Sequence, residues 1–208
     1  MGLDKGANQT ADGEELLKAK KPAHEIAPII AMLKAEGAST ALAVPVANIV
    51  IDERVCLKCQ IPLCDSFRKN LMCPPFVMPM EEFRLVLACY KEAILLQTEG
   101  NIDVPADGKP DRDVFAPAGR LHELVNLGER EAFRAGFRFA AGLIGGCCRL
   151  CEVCVAIDKS SICRFPFRAR PSMEAMGIDV VATLEKTGLS LAFPVTDRVT
   201  WTGLILLQ

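Results

Sequence analysis

Residues 145–163 read Gly-Gly-Cys-Cys-Arg-Leu-Cys-Glu-Val-Cys-Val-Ala-Ile-Asp-Lys-Ser-Ser-Ile-Cys. Within them Cys148, Cys151, Cys154 and Cys163 form the pattern C-x2-C-x2-C-x8-C. A loop of that pitch curls around one corner of a cube, so that successive thiolates meet different irons and a more distant cysteine supplies the fourth ligand. A tetrahedral zinc asks only for one C-x2-C pair from each of two loops, and placing all four of these sulfurs on one zinc strains the chain. The spacing therefore points to a [4Fe–4S] cluster, with zinc as the alternative. Cys147 is left out of the set, because two neighbouring thiolates rarely ligate one cluster together. The plainest competing explanation, buried small hydrophobes, suits one or two cysteines but not four at this spacing.

The surroundings of this stretch are cationic. Between Cys147 and Pro171 stand Arg149, Lys159, Arg164, Arg168 and Arg170 against Glu152 and Asp158. A cluster held by four thiolates is net negative, and nearby cations offset that charge and tune its potential, so Arg149, Arg164, Arg168 and Arg170 are candidate cofactor-binding residues. The same arginines also read as a solvated surface or as binding a phosphate-bearing partner.

Upstream, a second cysteine-rich stretch runs Cys56-x2-Cys59-x4-Cys64-x8-Cys73-Pro74-Pro75. Proline after a ligand removes an N–H and stiffens the exit of the loop. The spacing is looser here, and zinc stays open for four cysteines.

The rest of the chain supplies a scaffold. Ile26, Ile29, Ile30 and Leu33 recur at helical spacing between His24 and Glu36, with Gly37 as a stop. Ala41–Ile51 is β-prone and split, or confined to a sheet edge, by Pro45. Pro79-Met80-Glu81-Glu82 opens a helix carrying Phe83, Val86, Leu87 and Tyr90, and Glu92–Gln97 reads as a short buried strand. Residues 99–119 read as a loop. The longest helix is expected from Arg120 to Ile144, with Leu121, Leu124, Val125, Gly128, Ala132, Ala135 and Phe139 on one face and Phe133, Phe137 and Ala140 widening it. A helix over Asp179–Thr187 and strands over Leu189–Val195 and Trp201–Leu207 complete an α/β (α+β) domain: a small mixed sheet, flanking helices and two metal-binding loops. Residues 1–22 read as a flexible tail and 23–208 as a single domain.

Composition narrows the function. The 208 residues are half apolar and 24% charged, which suits a globular core and excludes global disorder. A net charge of −2 and only 6% aromatics give nucleic acid little to bind. No apolar run is long enough to span a bilayer. The polar segment Met1–Lys21 lacks the apolar centre of a secretory signal, so a cytoplasmic setting is expected, where thiols stay reduced and cysteine clusters mean metal before disulfide.

Several stretches together are similar to a prokaryotic family described only as predicted metal-binding proteins, a domain of unknown function. They are Asp52-Glu53-Arg54-Val55, Leu57-Lys58-Cys59, Cys64, Cys73-Pro74-Pro75, Gly146–Cys154, Cys163-Arg164, Ala169–Asp179 and Trp201-Thr202-Gly203-Leu204. The resemblance runs from about Gly37 to the C-terminus. It implies metal binding by Cys59, Cys64 and Cys73 in the first stretch and Cys148, Cys151, Cys154 and Cys163 in the second, with Cys56 and Cys147 outside the pattern. Phe67 stands where the family usually has tyrosine. It brings no reaction with it. Three ligands plus four suggests two clusters, the first with an iron open to a substrate or to a ligand from another protein; the alternative is that the cysteines of both stretches share one cluster and one zinc.

Elsewhere, His24 and His122 read as surface or capping residues and Cys89 as a core residue. Ser172 reads as a helix cap, and Met173 and Met176 as packing against a cluster loop. There is no phosphate loop, GxSxG elbow or HExxH helix. The resulting expectation is an iron–sulfur protein with one or two [4Fe–4S] clusters that exchanges electrons with a redox partner protein. The alternatives are a zinc-stabilised binding module and a redox enzyme with an open cluster site.

Overall fold

The computed structural model describes residues 25–102, 114–159, 162–191, 193 and 195–208. The expected N-terminal tail, His24 and the centre of the 99–119 loop lie outside the described residues. Strand β2 (Glu92–Asn101) is the axis of the molecule: Ala93, Ile94, Leu95 and Leu96 are completely buried. Side chains alternate across a strand, so an unbroken apolar run must be covered on both faces. It is. Ile94 and Leu96, with Ile205 and Leu207 of the neighbouring β4 (Arg198–Leu207), pack against α1 (Ala27–Ala35) and α4 (Ala116–Arg134). Ala93 and Leu95, with Leu204 and Leu206, pack on the opposite face against α3 (Met80–Leu87) and α5 (Val180–Lys186).

The sheet order is β1-β2-β4-β3, with β1 at Thr40–Pro45 and β3 at Ala141–Leu143. Every strand pair is antiparallel; the parallel element of the expected mixed sheet is an isolated bridge between Ile144 and Ser172. β1 is an edge strand and ends on Pro45, as a residue without an N–H requires. Gly128 lets α4 approach the sheet closely, since a Cβ there would stand 2.4 Å from Ile205 Cδ1 and 3.2 Å from Leu33.

Several expectations need correction. The long helix stops at Arg134, ten residues early, because Gly136 takes a left-handed conformation (φ 99°). Residues 141–143 then pair with β4. Phe133 and Phe139 are exposed as a result, while Phe137 is buried. No strand forms over Leu189–Val195 among the described residues. Cys89 is exposed, not in the core, and its Sγ lies 3.5 Å from the Leu85 carbonyl. His122 is buried, and its Nε2 donates to the Arg168 carbonyl at 2.7 Å. Met173 and Met176 belong to the core beneath the sheet. No helix of the described residues is long and apolar enough to cross a membrane.

Candidate metal centre

Both cysteine stretches are rooted on one segment, Ser172–Ile178. At one end Ile144 exchanges backbone hydrogen bonds with Pro171 and Met173, at 3.0 and 2.8 Å, immediately before Gly145-Gly146 releases the second stretch. At the other end Ile51 bridges Ile178, the Asp52 N–H donates to the Gly177 carbonyl at 2.9 Å, and the Asp179 N–H donates to Val50 at 2.8 Å. The first stretch leaves from there. It enters through the short helix α2 (Glu53–Leu57), capped by the Asp52 carboxylate accepting from Arg54 N–H at 2.8 Å. The Arg54 side chain also holds that carboxylate and draws its pKa down to about 2. Ser172 caps the turn between the two roots, as expected, its Oγ accepting from Ala175 N–H at 3.0 Å.

Turns shape the first stretch: Cys59 N–H donates to Cys56, Cys64 to Cys59, Phe67 to Cys64, Cys73 to Asn70, and Phe76 to Cys73. Asn70, buried, fastens it to the second stretch. Its Nδ2 donates to the Cys148 carbonyl at 2.8 Å, and its Oδ1 accepts from Met72 N–H at 3.0 Å. The neighbouring Leu71 N–H points at Cys154 Sγ, 3.5 Å away. Neither Asn70 nor Leu71 was singled out by the sequence; an Asn before Leu in a polar loop carries no such signal.

All ten cysteines are free thiols. Cys148 lies among Cys163, Cys151 and Cys154; burial pushes its thiol up, these neighbours add to the rise, and a hydrogen bond from the Leu150 backbone opposes it. Cys163 Sγ accepts from Phe165 N–H at 3.3 Å. Thus three of the four sulfurs of the C-x2-C-x2-C-x8-C stretch face backbone N–H groups.

The thiols of the first stretch form a second gathering. Cys73 is buried, which pushes its pKa up to about 12, helped by the neighbouring thiols of Cys147, Cys64, Cys59 and Cys148. Cys59 is raised by burial, then by Cys56 and Cys64. Cys59, Cys64, Cys73 and Cys147 share the wall of a cavity of about 1170 Å³ with Glu174 and Trp201. The Glu174 carboxylate accepts from Gly146 N–H at 3.2 Å, and burial raises its pKa. Gly146 (φ 74°) has no room for a side chain: a Cβ would stand 2.7 Å from Trp201 Cζ3.

The four candidate arginines are placed differently. Arg149 lies over the Phe115 ring at 3.8 Å and near Trp201, and donates to the Cys147 carbonyl at 3.1 Å. Arg164 donates to the Val153 carbonyl at 2.7 Å, bracing the nested cysteine loop. Arg168 lies 5.9 Å from the Phe165 ring centre, and its carbonyl is held by His122 and Asn126. Arg170 is committed to Glu129, at 2.6 and 2.7 Å.

Soft thiolate donors in two gatherings, with amide N–H groups aimed at sulfur, are chemically suited to a thiophilic metal or an iron–sulfur cluster. Among the described residues no three His, Cys, Asp or Glu side chains are already drawn together tightly enough to hold a single metal ion. Protonated thiols have no attraction to one another, and binding a metal replaces their protons.

No curated protein and no solved structure matches this chain. One family model does, over residues 43–207, which takes in both cysteine stretches, the segment that roots them and all four strands except the first three residues of β1. The chain belongs to the family described as "Predicted metal-binding protein (DUF2284)", a domain of unknown function.

Proposed function

We propose that this metal-binding protein is an iron–sulfur protein that carries electrons to or from a partner, with Cys148, Cys151, Cys154 and Cys163 holding a [4Fe–4S] cluster. The observation that carries the reading is the set of backbone N–H groups directed at the sulfurs of Cys148, Cys154 and Cys163. Such hydrogen bonds stabilise charge on thiolate sulfur and raise the potential of a cluster. When bound, the cluster supplies a one-electron reservoir. The chain's own residues fix the loop: Asn70 holds the Cys148 carbonyl, and Arg164 holds Val153. Around the loop, the exposed Val153, Ile157 and Phe167 offer the apolar contact area that a redox partner protein needs, beside the cations Arg164 and Arg168.

The test is anaerobic purification of the full chain. The expected product is brown, absorbs broadly near ~400 nm, and contains iron and acid-labile sulfide in equal amounts. Colourless protein with stoichiometric zinc and no sulfide would overturn the reading in favour of a zinc-stabilised binding module.

A further inference from the structure

We propose that Cys147 is the fourth thiol of the first metal site, completing Cys59, Cys64 and Cys73, and that the Cys147–Cys148 peptide joins two separate four-thiol sites. The inference rests on metal binding by both stretches, and deepens the proposed function by defining the second site.

Cys147 comes from the other cysteine stretch, yet it stands on the same cavity wall as Cys59, Cys64 and Cys73. Glu174, bound to Gly146 N–H, fixes the chain one residue before it, and Arg149 holds its carbonyl. Cys148, the next residue, lies among Cys151, Cys154 and Cys163, near Cys73 but off that cavity wall. The objection to neighbouring ligands holds only for one shared core, and of this pair Cys147 alone lines the cavity of the first stretch.

Cys56 is the other candidate for a fourth ligand, since it adjoins Cys59 in sequence and space. It is not on the cavity wall. Its Sγ packs beside Gly177 and Met80, 3.6 Å from where a Cβ on Gly177 would lie. A site closed by Cys147 leaves no iron open for substrate at the first stretch. It also places one covalent peptide between the two sites, a short path for an electron.

The experiment compares Cys147→Ala, Cys56→Ala and Cys151→Ala in the full chain, each loaded anaerobically with ferrous iron and sulfide. Metal and sulfide per chain and the electron paramagnetic resonance of the reduced protein are then measured. Cys147→Ala is expected to lose about half the iron, Cys151→Ala about the other half, and Cys56→Ala none. Retention of the full complement by Cys147→Ala, or loss of half by Cys56→Ala, overturns the assignment. Alkylation mapping of the unmutated protein needs no variant: metal should protect Cys147 and leave Cys56 reactive, and the reverse overturns the assignment. If the parent takes zinc and no iron, the iron–sulfur reading falls while the same comparison, counted in zinc, still decides Cys147. Uptake of neither metal overturns both.

Discussion

Asn70 fastens the two cysteine stretches to each other, and its removal should be felt in both. It is 8% exposed, donates to the Cys148 carbonyl at 2.8 Å and accepts from Met72 N–H at 3.0 Å. Asn70→Ala leaves a carbonyl and an N–H without partners in a partly dry place. Each such orphan costs about 1–1.5 kcal/mol at this degree of burial, so the metal-free protein should lose about 2–3 kcal/mol, roughly a 30- to 150-fold change in the unfolding equilibrium. Asn70→Asp keeps the acceptor for Met72 but turns an oxygen toward the Cys148 carbonyl; it should cost at least as much. Denaturant unfolding of metal-free protein measures the loss as a shift in midpoint at constant slope. The loaded protein supplies a second reading. Leu71, next in the chain, presents its N–H to Cys154 Sγ, so release of metal to a chelator should quicken in both variants. An unchanged midpoint together with an unchanged release rate would refute the reasoning that Asn70 couples the loops.

Three other consequences follow from the same packing. Glu129 accepts from Arg170 and, at 2.7 Å, from Gly142 N–H, with both charged side chains largely buried; Glu129→Ala should cost about 2 kcal/mol and Glu129→Gln about half that, read as thermal midpoints. His122 has its pKa held below the ordinary 6.5, first by burial and then by the nearby Arg170 and Arg168, against its bond to the Arg168 carbonyl and the Glu123 charge. The unfolded chain therefore takes up a proton first, and the His122 contribution, intact above 6.5, is lost as pH falls through the folded value. Glu174, raised by burial, acts with the opposite sign, so the measurement is the difference between the parent and His122→Gln: the variant should lose less stability on acidification, and equal losses would exclude His122 as the cause. At Gly145 a Cβ would meet the Thr202 carbonyl oxygen at 2.8 Å, whereas at Gly119 in α4 it meets nothing within 4 Å. Gly145→Ala should destabilise by about 1–3 kcal/mol while Gly119→Ala stabilises by about 0.5–1 kcal/mol, both measurable by denaturant titration.

Much of the scaffold was legible because its signals are periodic or absolute. The apolar run Ala93–Leu96 reads as a buried strand, and Pro45 splits a strand or confines it to an edge; the structure covers the first on both faces and puts the second at an edge. The nested cysteines identify themselves by spacing. The end of α4 was not legible: Ala140, Gly142 and Leu143 continue the helical arithmetic by accident, and a three-residue edge strand is too short to show a period of two. Gly136 was the available signal, since a glycine four residues after Ala132 can end a helix as well as sit in it. His122 fell on the polar side of the reading because nothing local announces that the Arg168 carbonyl, 46 residues later, will need a donor. Cys89 failed the opposite way: its place in the α3 pattern lies two residues beyond the end of the helix, where it is exposed.

The least legible part, Ser172–Ile178, explains how a protein with two cysteine loops can have a fold that does not depend on them. Its contacts are isolated bridges and single hydrogen bonds to Ile144, Val50, Ile51 and Asp52, which leave no repeating mark in sequence. Yet Met173, Met176 and Ile178 are buried against β2 and β4, so the segment is anchored by apolar area before either loop closes. The loops thus start from fixed points on one core. The conformational entropy for metal binding to overcome is then that of the loops alone. Chelation should therefore loosen the cysteine loops and leave the sheet standing. Amide exchange in β2 and β4 should be nearly the same with and without metal, and exchange at Leu71 and Phe165 should rise on its removal. Collapse of protection in β2 on chelation would show instead that metal, not the apolar core, organises the fold.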